Sequence, residues 1–170
     1  MPGASPDDGP LFLIGFMGSG KSTVGRMLAR RLGWDFVDCD AVLTGQFGRS
    51  IASLFAAGRE AEFRAAEATL IRSLADGPGG RVVATGGGAC QNPSSAVALR
   101  QRRLVFWLDA PWPVLEARMR GDATRPLLAD NPAGLYTARQ PLYTACARRR
   151  LNAENSVDSL VAQIIDIIRE

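Results

Sequence analysis

A chain of 170 residues, 46% hydrophobic and 22% charged, has the balance of a globular protein that buries its core without disulfide or metal staples. It contains no histidine, which removes every His-based triad, every His-ligated zinc site and any histidine general base, so acid–base work falls to carboxylates. The net charge of +3 is spread along the chain, with Arg148-Arg149-Arg150 as the one basic cluster, a balance that suits a phosphate-handling enzyme and calls for neither nucleic acid nor a membrane. No apolar run approaches the roughly 20 residues of a membrane span.

Residues 1–10 lack an apolar core and read as a flexible leader rather than a secretion signal, so a cytoplasmic protein is expected. Residues 11–170 read as one domain. Leu11–Ile14 is a short apolar run ending at a glycine, as a buried parallel strand does. Val24, Met27, Leu28 and Leu32 recur at helical spacing over Lys21–Leu32, and Gly33 stops the helix. Phe36-Val37 is a second strand closed by Asp38-Cys39-Asp40. As a D-x-D pair on a strand end, Asp38 and Asp40 are expected on one face. Ser50–Leu74 holds two helical pieces with a break near Gly58, and Arg81–Ala84 is a third strand running into Gly86-Gly87-Gly88. A helix over Pro93–Gln101 precedes a fourth strand, Leu104–Leu108, and Pro111 opens a helix to Met119. The aperiodic stretch 121–131 reads as a loop. Helix resumes over Ala133–Ala147, Arg148–Ala153 completes the pattern as a fifth strand of poor propensity, and Leu160, Ile164, Ile165 and Ile168 mark a closing helix over Ser156–Ile168. Strands alternating with helices predict an α/β fold with a parallel sheet covered on both faces. The three cysteines, Cys39, Cys90 and Cys146, have no metal-ligand spacing and read as reduced and buried.

Gly15-Phe16-Met17-Gly18-Ser19-Gly20-Lys21-Ser22 fits G-x-x-x-x-G-K-[ST] between an apolar strand and an amphipathic helix. Gly15, Gly18 and Gly20 permit turns that a Cβ blocks and bring backbone N–H groups against phosphates, and the helix N-terminus adds its positive end. Lys21 is expected on the β- and γ-phosphates and the Ser22 hydroxyl on Mg²⁺, with Thr23 a lesser polar contact. All 19 other basic side chains are arginine, so the lone lysine stands where a compact ammonium suits phosphates. This predicts nucleotide binding without choosing the reaction. Length argues against a motor, and no guanine-reading N-K-x-D is present.

The series continues with Phe36-x-Asp38-x-Asp40, Glu60-x-x-Phe63-Arg64-x-x-Glu67, Thr85-Gly86-Gly87-Gly88, Arg125-Pro126-Leu127-Leu128 and Arg139-x-Pro141-Leu142-Tyr143. Six pieces in this order resemble the shikimate kinase family, over about residues 11–168. The resemblance implies a three-layer P-loop kinase fold of the nucleoside-monophosphate-kinase-like group, with a five-stranded parallel sheet in the order 2-3-1-4-5 and a mobile lid near 121–131. It implies ATP-dependent phosphorylation of the shikimate 3-hydroxyl by a monomeric enzyme, on the route to aromatic amino acids. Carried onto matching positions, Gly18, Ser19, Gly20, Lys21, Ser22 and Thr23 bind ATP, while Ser22 and Asp38 hold Mg²⁺. Asp40 bonds substrate hydroxyls and serves as base, Arg64 and Arg139 clamp the carboxylate, and Gly86, Gly87 and Gly88 line the pocket. Arg125 swings onto the γ-phosphate from the lid, Arg118 packs on adenine and Asn155 touches the base. Lys21, Asp40 and Arg125 form the catalytic set.

Side-chain chemistry supports these roles independently. Arginine forks match a carboxylate bidentately, and Glu67, at i+3 from Arg64, is placed to orient it. Taken alone, Arg64 and Glu67 also fit a surface ion pair, and the three glycines a plain turn. One departure stands out: the family's Gly before Glu60 is here Arg59, with Gly58 one residue earlier. A gluconate-type kinase and a non-catalytic ATP-binding regulatory module are the competing readings.

Overall fold

The four residues of β1 (Leu11–Ile14) are all fully buried, which only a central strand covered on both faces allows. The computed structural model describes residues 9–120 and 130–170. After β1 come α1 (Lys21–Leu32), β2 (Asp35–Asp38), α2 (Cys39–Phe47), α3 (Ile51–Ala56), α4 (Glu60–Ala75), β3 (Arg81–Ala84), α5 (Pro93–Arg100), β4 (Val105–Asp109), α6 (Trp112–Arg120), α7 (Pro132–Cys146), β5 (Arg149–Asn152) and α8 (Val157–Arg169). The sheet is parallel in the order β2-β3-β1-β4-β5, as expected, with Leu13 opposite Ala84 on one side and Phe106 on the other. In such a sheet ligands gather at the carboxyl ends of the strands, where connections diverge.

Two corrections follow. Asp38 and Asp40 do not share a strand face: Asp38 ends β2 and Asp40 lies in the first turn of α2. The Asp38 carboxylate caps that helix, Oδ1 accepting from the N–H groups of Asp40 (3.1 Å) and Ala41 (3.3 Å), so an aspartate that looks like a strand end starts a helix. On α8 the buried face is Leu160, Val161, Ile164 and Ile168, and Ile165 is only half-buried.

The weak fifth strand is present. Only Leu151 of β5 is buried, because β5 pairs with β4 alone and its edge carries charge. Arg150 lies over the Trp107 ring at 4.7 Å and bonds Asp109, tying that edge down. Gly58 (φ +71°) makes the break between α3 and α4, and Arg59 follows at an ordinary φ of −96°.

The apolar interior has two parts. Among the described residues the main core joins the sheet to α1, α4, α5, α6, α7 and α8. A smaller one, Leu43, Leu54 and Phe63 with Phe47, Ile51 and Phe55, lies within α2, α3 and α4. Among the described residues no helix is long and apolar enough to cross a membrane. The three cysteines are buried free thiols. The expected leader and lid fall mostly on 1–8 and 121–129, and Arg125 with them, outside the described residues. Asn131, at the lid's far edge, caps α7 by accepting from the Gly134 N–H at 2.9 Å.

Candidate active site

The loop between β1 and α1 is shaped by backbone. Gly15, Gly18 and Gly20 take φ of +143°, +77° and +91°, and a Cβ on Gly15 would stand 2.5 Å from the Leu108 carbonyl oxygen. The buried Lys21 ammonium donates to the carbonyl oxygens of Gly15 and Phe16, each at 2.8 Å. Ser22 Oγ donates to Asp38 Oδ2 at 2.5 Å, while Asp38 Oδ1 is engaged in the α2 cap. One serine hydroxyl and one carboxylate oxygen thus face each other, the hard-oxygen pair that Mg²⁺ takes together with phosphate and water. Arg118 donates to the carbonyls of Gly18 (3.2 Å) and Ala153 (2.8 Å), bridging the glycine loop to the segment after β5. A cavity of about 440 Å³ is lined by Gly18 to Thr23, Arg118 and Asn155.

Beside it lies a second cavity of about 490 Å³, walled by α2, α3, α4, the glycine run after β3 and α7. Arg64 donates to Glu67 Oε2 at 2.8 Å and stacks on Phe55 and Phe63, each 5.4 Å from its guanidinium carbon. Burial pushes the Glu67 carboxyl above the ordinary glutamate range, against the pull of the Arg64 charge. Glu67 Oε1 is buried with no protein partner. Arg139 is 5% exposed, rests on the Phe16 ring at 5.5 Å and donates to Gln91 Oε1 at 3.1 Å. Burial draws its guanidinium below the usual arginine range, and the nearby Arg64 charge acts in the same direction. Tyr143, one turn on, donates to the Gly87 carbonyl at 2.5 Å and fixes α7 to the glycine run.

The glycines are needed for room. A Cβ on Gly86 would meet Glu67 Oε1 at 2.5 Å and Asp40 Oδ1 at 2.8 Å, and one on Gly88 would collide with the Arg64 guanidinium. Met17, Asp40 and Gly87 line both cavities, so the two openings are one cleft that meets at the Asp40 carboxylate. Every expected site residue among those described lines this cleft except Asp38, which faces it through Ser22. Arg103, Arg148 and Arg149 instead border an opening formed where β4 and β5 begin, with Arg148 donating to the carbonyls of Arg100 and Arg102.

Residues 17–169 match the model of the shikimate kinase family. The chain belongs to that family. A shikimate kinase of Geobacter sulfurreducens is 46% identical over 97% of this chain and 94% of its own length, and one of Symbiobacterium thermophilum is 41% identical over 94% and 96%. Among solved structures, the shikimate kinase of Acinetobacter baumannii in complex with shikimate superposes with a TM-score of 0.86 at 33% identity, covering 94% of this chain and 92% of that one. Within this family member, reading by residue type missed Gln91 and the ring supports Phe16 and Phe55. Tyr143 was visible only as a motif letter, though its place four residues after Arg139 puts both on one helix face.

Proposed function

We infer that this chain is a shikimate kinase, transferring the ATP γ-phosphoryl group to the 3-hydroxyl of shikimate to give shikimate 3-phosphate and ADP on the route to chorismate and aromatic amino acids. The observation that carries the reading is the shared border: Asp40 belongs at once to the cavity of the glycine loop and to the cavity of the two arginines. A hydroxyl held at that border faces a phosphoryl group held by the loop, the in-line arrangement the transfer needs.

In this reading Gly18 to Thr23 cradle the phosphates, and Lys21 turns its ammonium from the Gly15 and Phe16 carbonyls onto them. Ser22 and Asp38 hold Mg²⁺, which supplies charge neutralisation on the phosphates when bound. Arg118 and Asn155 border the nucleotide. Arg64 and Arg139 clamp the substrate carboxylate, Gly86, Gly87 and Gly88 let the ring approach, and Asp40 orients the 3-hydroxyl and takes its proton. Arg125, outside the described residues, belongs to the lid that excludes water during transfer. The enzyme acts as a cytoplasmic monomer.

A coupled assay of ADP release with and without shikimate tests this reading. Release that depends on shikimate is expected. Release indifferent to shikimate would sink it, and gluconate-stimulated release would move the chain to the competing sugar-acid kinase.

A further inference from the structure

Two guanidinium groups, one largely buried and one half-buried, line the same cavity. Like charges so placed need an acceptor. Glu67 serves Arg64 from one side at 2.8 Å, but Arg139 donates to a neutral group, the Gln91 amide oxygen, at 3.1 Å, and its buried Nε has no protein partner. The same Gln91 oxygen would stand 2.8 Å from a Cβ built on Gly88, and the Arg64 guanidinium crowds that same point. Arg64 and the amide oxygen therefore crowd one face of Gly88, and Arg139 reaches that same oxygen.

We propose that Gln91 is a positioning residue whose side-chain oxygen holds the place of the substrate carboxylate between Arg64 and Arg139 until substrate displaces it. The proposal rests on the clamp reading given above. Its physical basis is the difference between the two acceptors. The amide oxygen is neutral and accepts from Arg139, enough to offset part of the repulsion and aim that fork, while a carboxylate brings a full negative charge and a bidentate match and takes the position over. Release is easy because Gln91 is exposed and sits in a short turn, its N–H bonded to the Gly88 carbonyl at 3.0 Å, so its side chain rotates into solvent. The clamp is then pre-organised for binding at little cost in affinity.

The test is steady-state kinetics of wild type, Gln91→Glu and Gln91→Ala, with shikimate and its uncharged methyl ester varied at saturating ATP. A carboxylate built into the chain at 91 is not readily displaced. Gln91→Glu is therefore expected to raise the shikimate KM about tenfold or more, with kcat and the ATP KM within about twofold of wild type, and to narrow the preference for acid over ester. Gln91→Ala removes the placeholder and the pre-organisation it gives, and should raise the shikimate KM about threefold with kcat unchanged. A wild-type shikimate KM in Gln91→Glu, or a loss carried by kcat, overturns the proposal. So does a wild-type shikimate KM in Gln91→Ala, which would mean that Gln91 positions nothing, or a rise of about tenfold, which would make Gln91 a direct substrate ligand. Failure of the underlying reading looks different: wild type itself would then show no shikimate-dependent ADP release, before any variant is compared.

Discussion

The nucleotide half of the cleft is made of backbone, with three glycines at positive φ and two carbonyls holding the Lys21 ammonium. The substrate half is made of side chains: Arg64 and Glu67 from α4, Arg139 from α7 and Asp40 from α2. The first is continuous with the main core through β1, while α2, α3 and α4 share a small core of their own in addition to the Cys39, Ile71, Leu74 and Ala75 side chains that α2 and α4 place in the main one. Phosphates are common to all ATP, and amide N–H groups bind them without regard to what else is bound. A particular acid needs forks and carboxylates at set positions, which only side chains from separate elements supply. General recognition is thus local in sequence, and specific recognition is not.

The largest effect that sharpens this division is loss of the one lysine, which lies in the backbone half. Lys21→Ala should lower kcat on the order of 10³-fold by ADP release, with the fold intact by circular dichroism. Lys21→Arg should fail to restore it, because a planar fork does not fit where a compact ammonium rests on two carbonyls. Near-normal turnover in either variant breaks the assignment.

In the other half the loss should appear in binding. Arg139→Ala and Arg64→Ala each remove one arm of the clamp and should weaken shikimate by roughly 2–4 kcal/mol, read as KM, while the ATP KM stays close to wild type. Equal shifts in both constants would mean that the two halves are not separable. Phe16 is the place to look for such coupling, since this residue of the glycine loop also carries Arg139 on its ring.

The same contrast explains how much could be read from the sequence. Strand, glycine loop and helix are consecutive, so β1, the cradle and α1 follow from periodicity and residue type, as does the sheet class. The substrate half joins residues 40, 64, 86–88 and 139, and no local pattern says that they meet. Family resemblance supplied that convergence. The α2 helix stayed hidden because only Cys39 and Leu43 of its nine residues are buried, too few for a period, and Asp38 looks like a strand end. Gln91 carries no signal at all, being one polar residue in a turn.

A smaller effect tests the room that the glycines leave. Gly88→Ala places a methyl group against the tips of Arg64 and Gln91, flexible groups that can yield, so the fold should survive while the clamp is displaced. The expected cost is about 1–3 kcal/mol in shikimate binding. At Gly87 the nearest atoms to a Cβ lie 3.4 Å away, and Gly87→Ala should lose less. The reverse order would contradict the packing described for this wall.

Glu67 adds a pH dependence belonging to the substrate half alone. Its folded-state pKa is raised by burial, so folding takes up a proton in the acid range. The stability this contributes is present below the ordinary glutamate pKa and is lost as pH rises through the raised folded value. In urea unfolding, the stability of wild type minus that of Glu67→Gln should therefore decline from acid toward neutral pH. A difference that grows with pH would show that the Arg64 charge outweighs burial.

The smallest effect concerns Arg59, the residue that departs from the family pattern beside the substrate helix. A glycine is demanded there only if the backbone must enter the left-handed region. Gly58 already does so at φ +71°, one residue earlier, and Arg59 sits at −96°, where any side chain is at ease. Its guanidinium lies over the Phe47 ring at 5.7 Å and pairs with the exposed Glu62, outside the cavity. Arg59→Gly should thus leave the shikimate KM within about twofold, as for an exposed substitution remote from any ligand. A larger rise would mean that the start of α4 aims Arg64, and that the substrate half depends on backbone here as well as at Gly86 to Gly88.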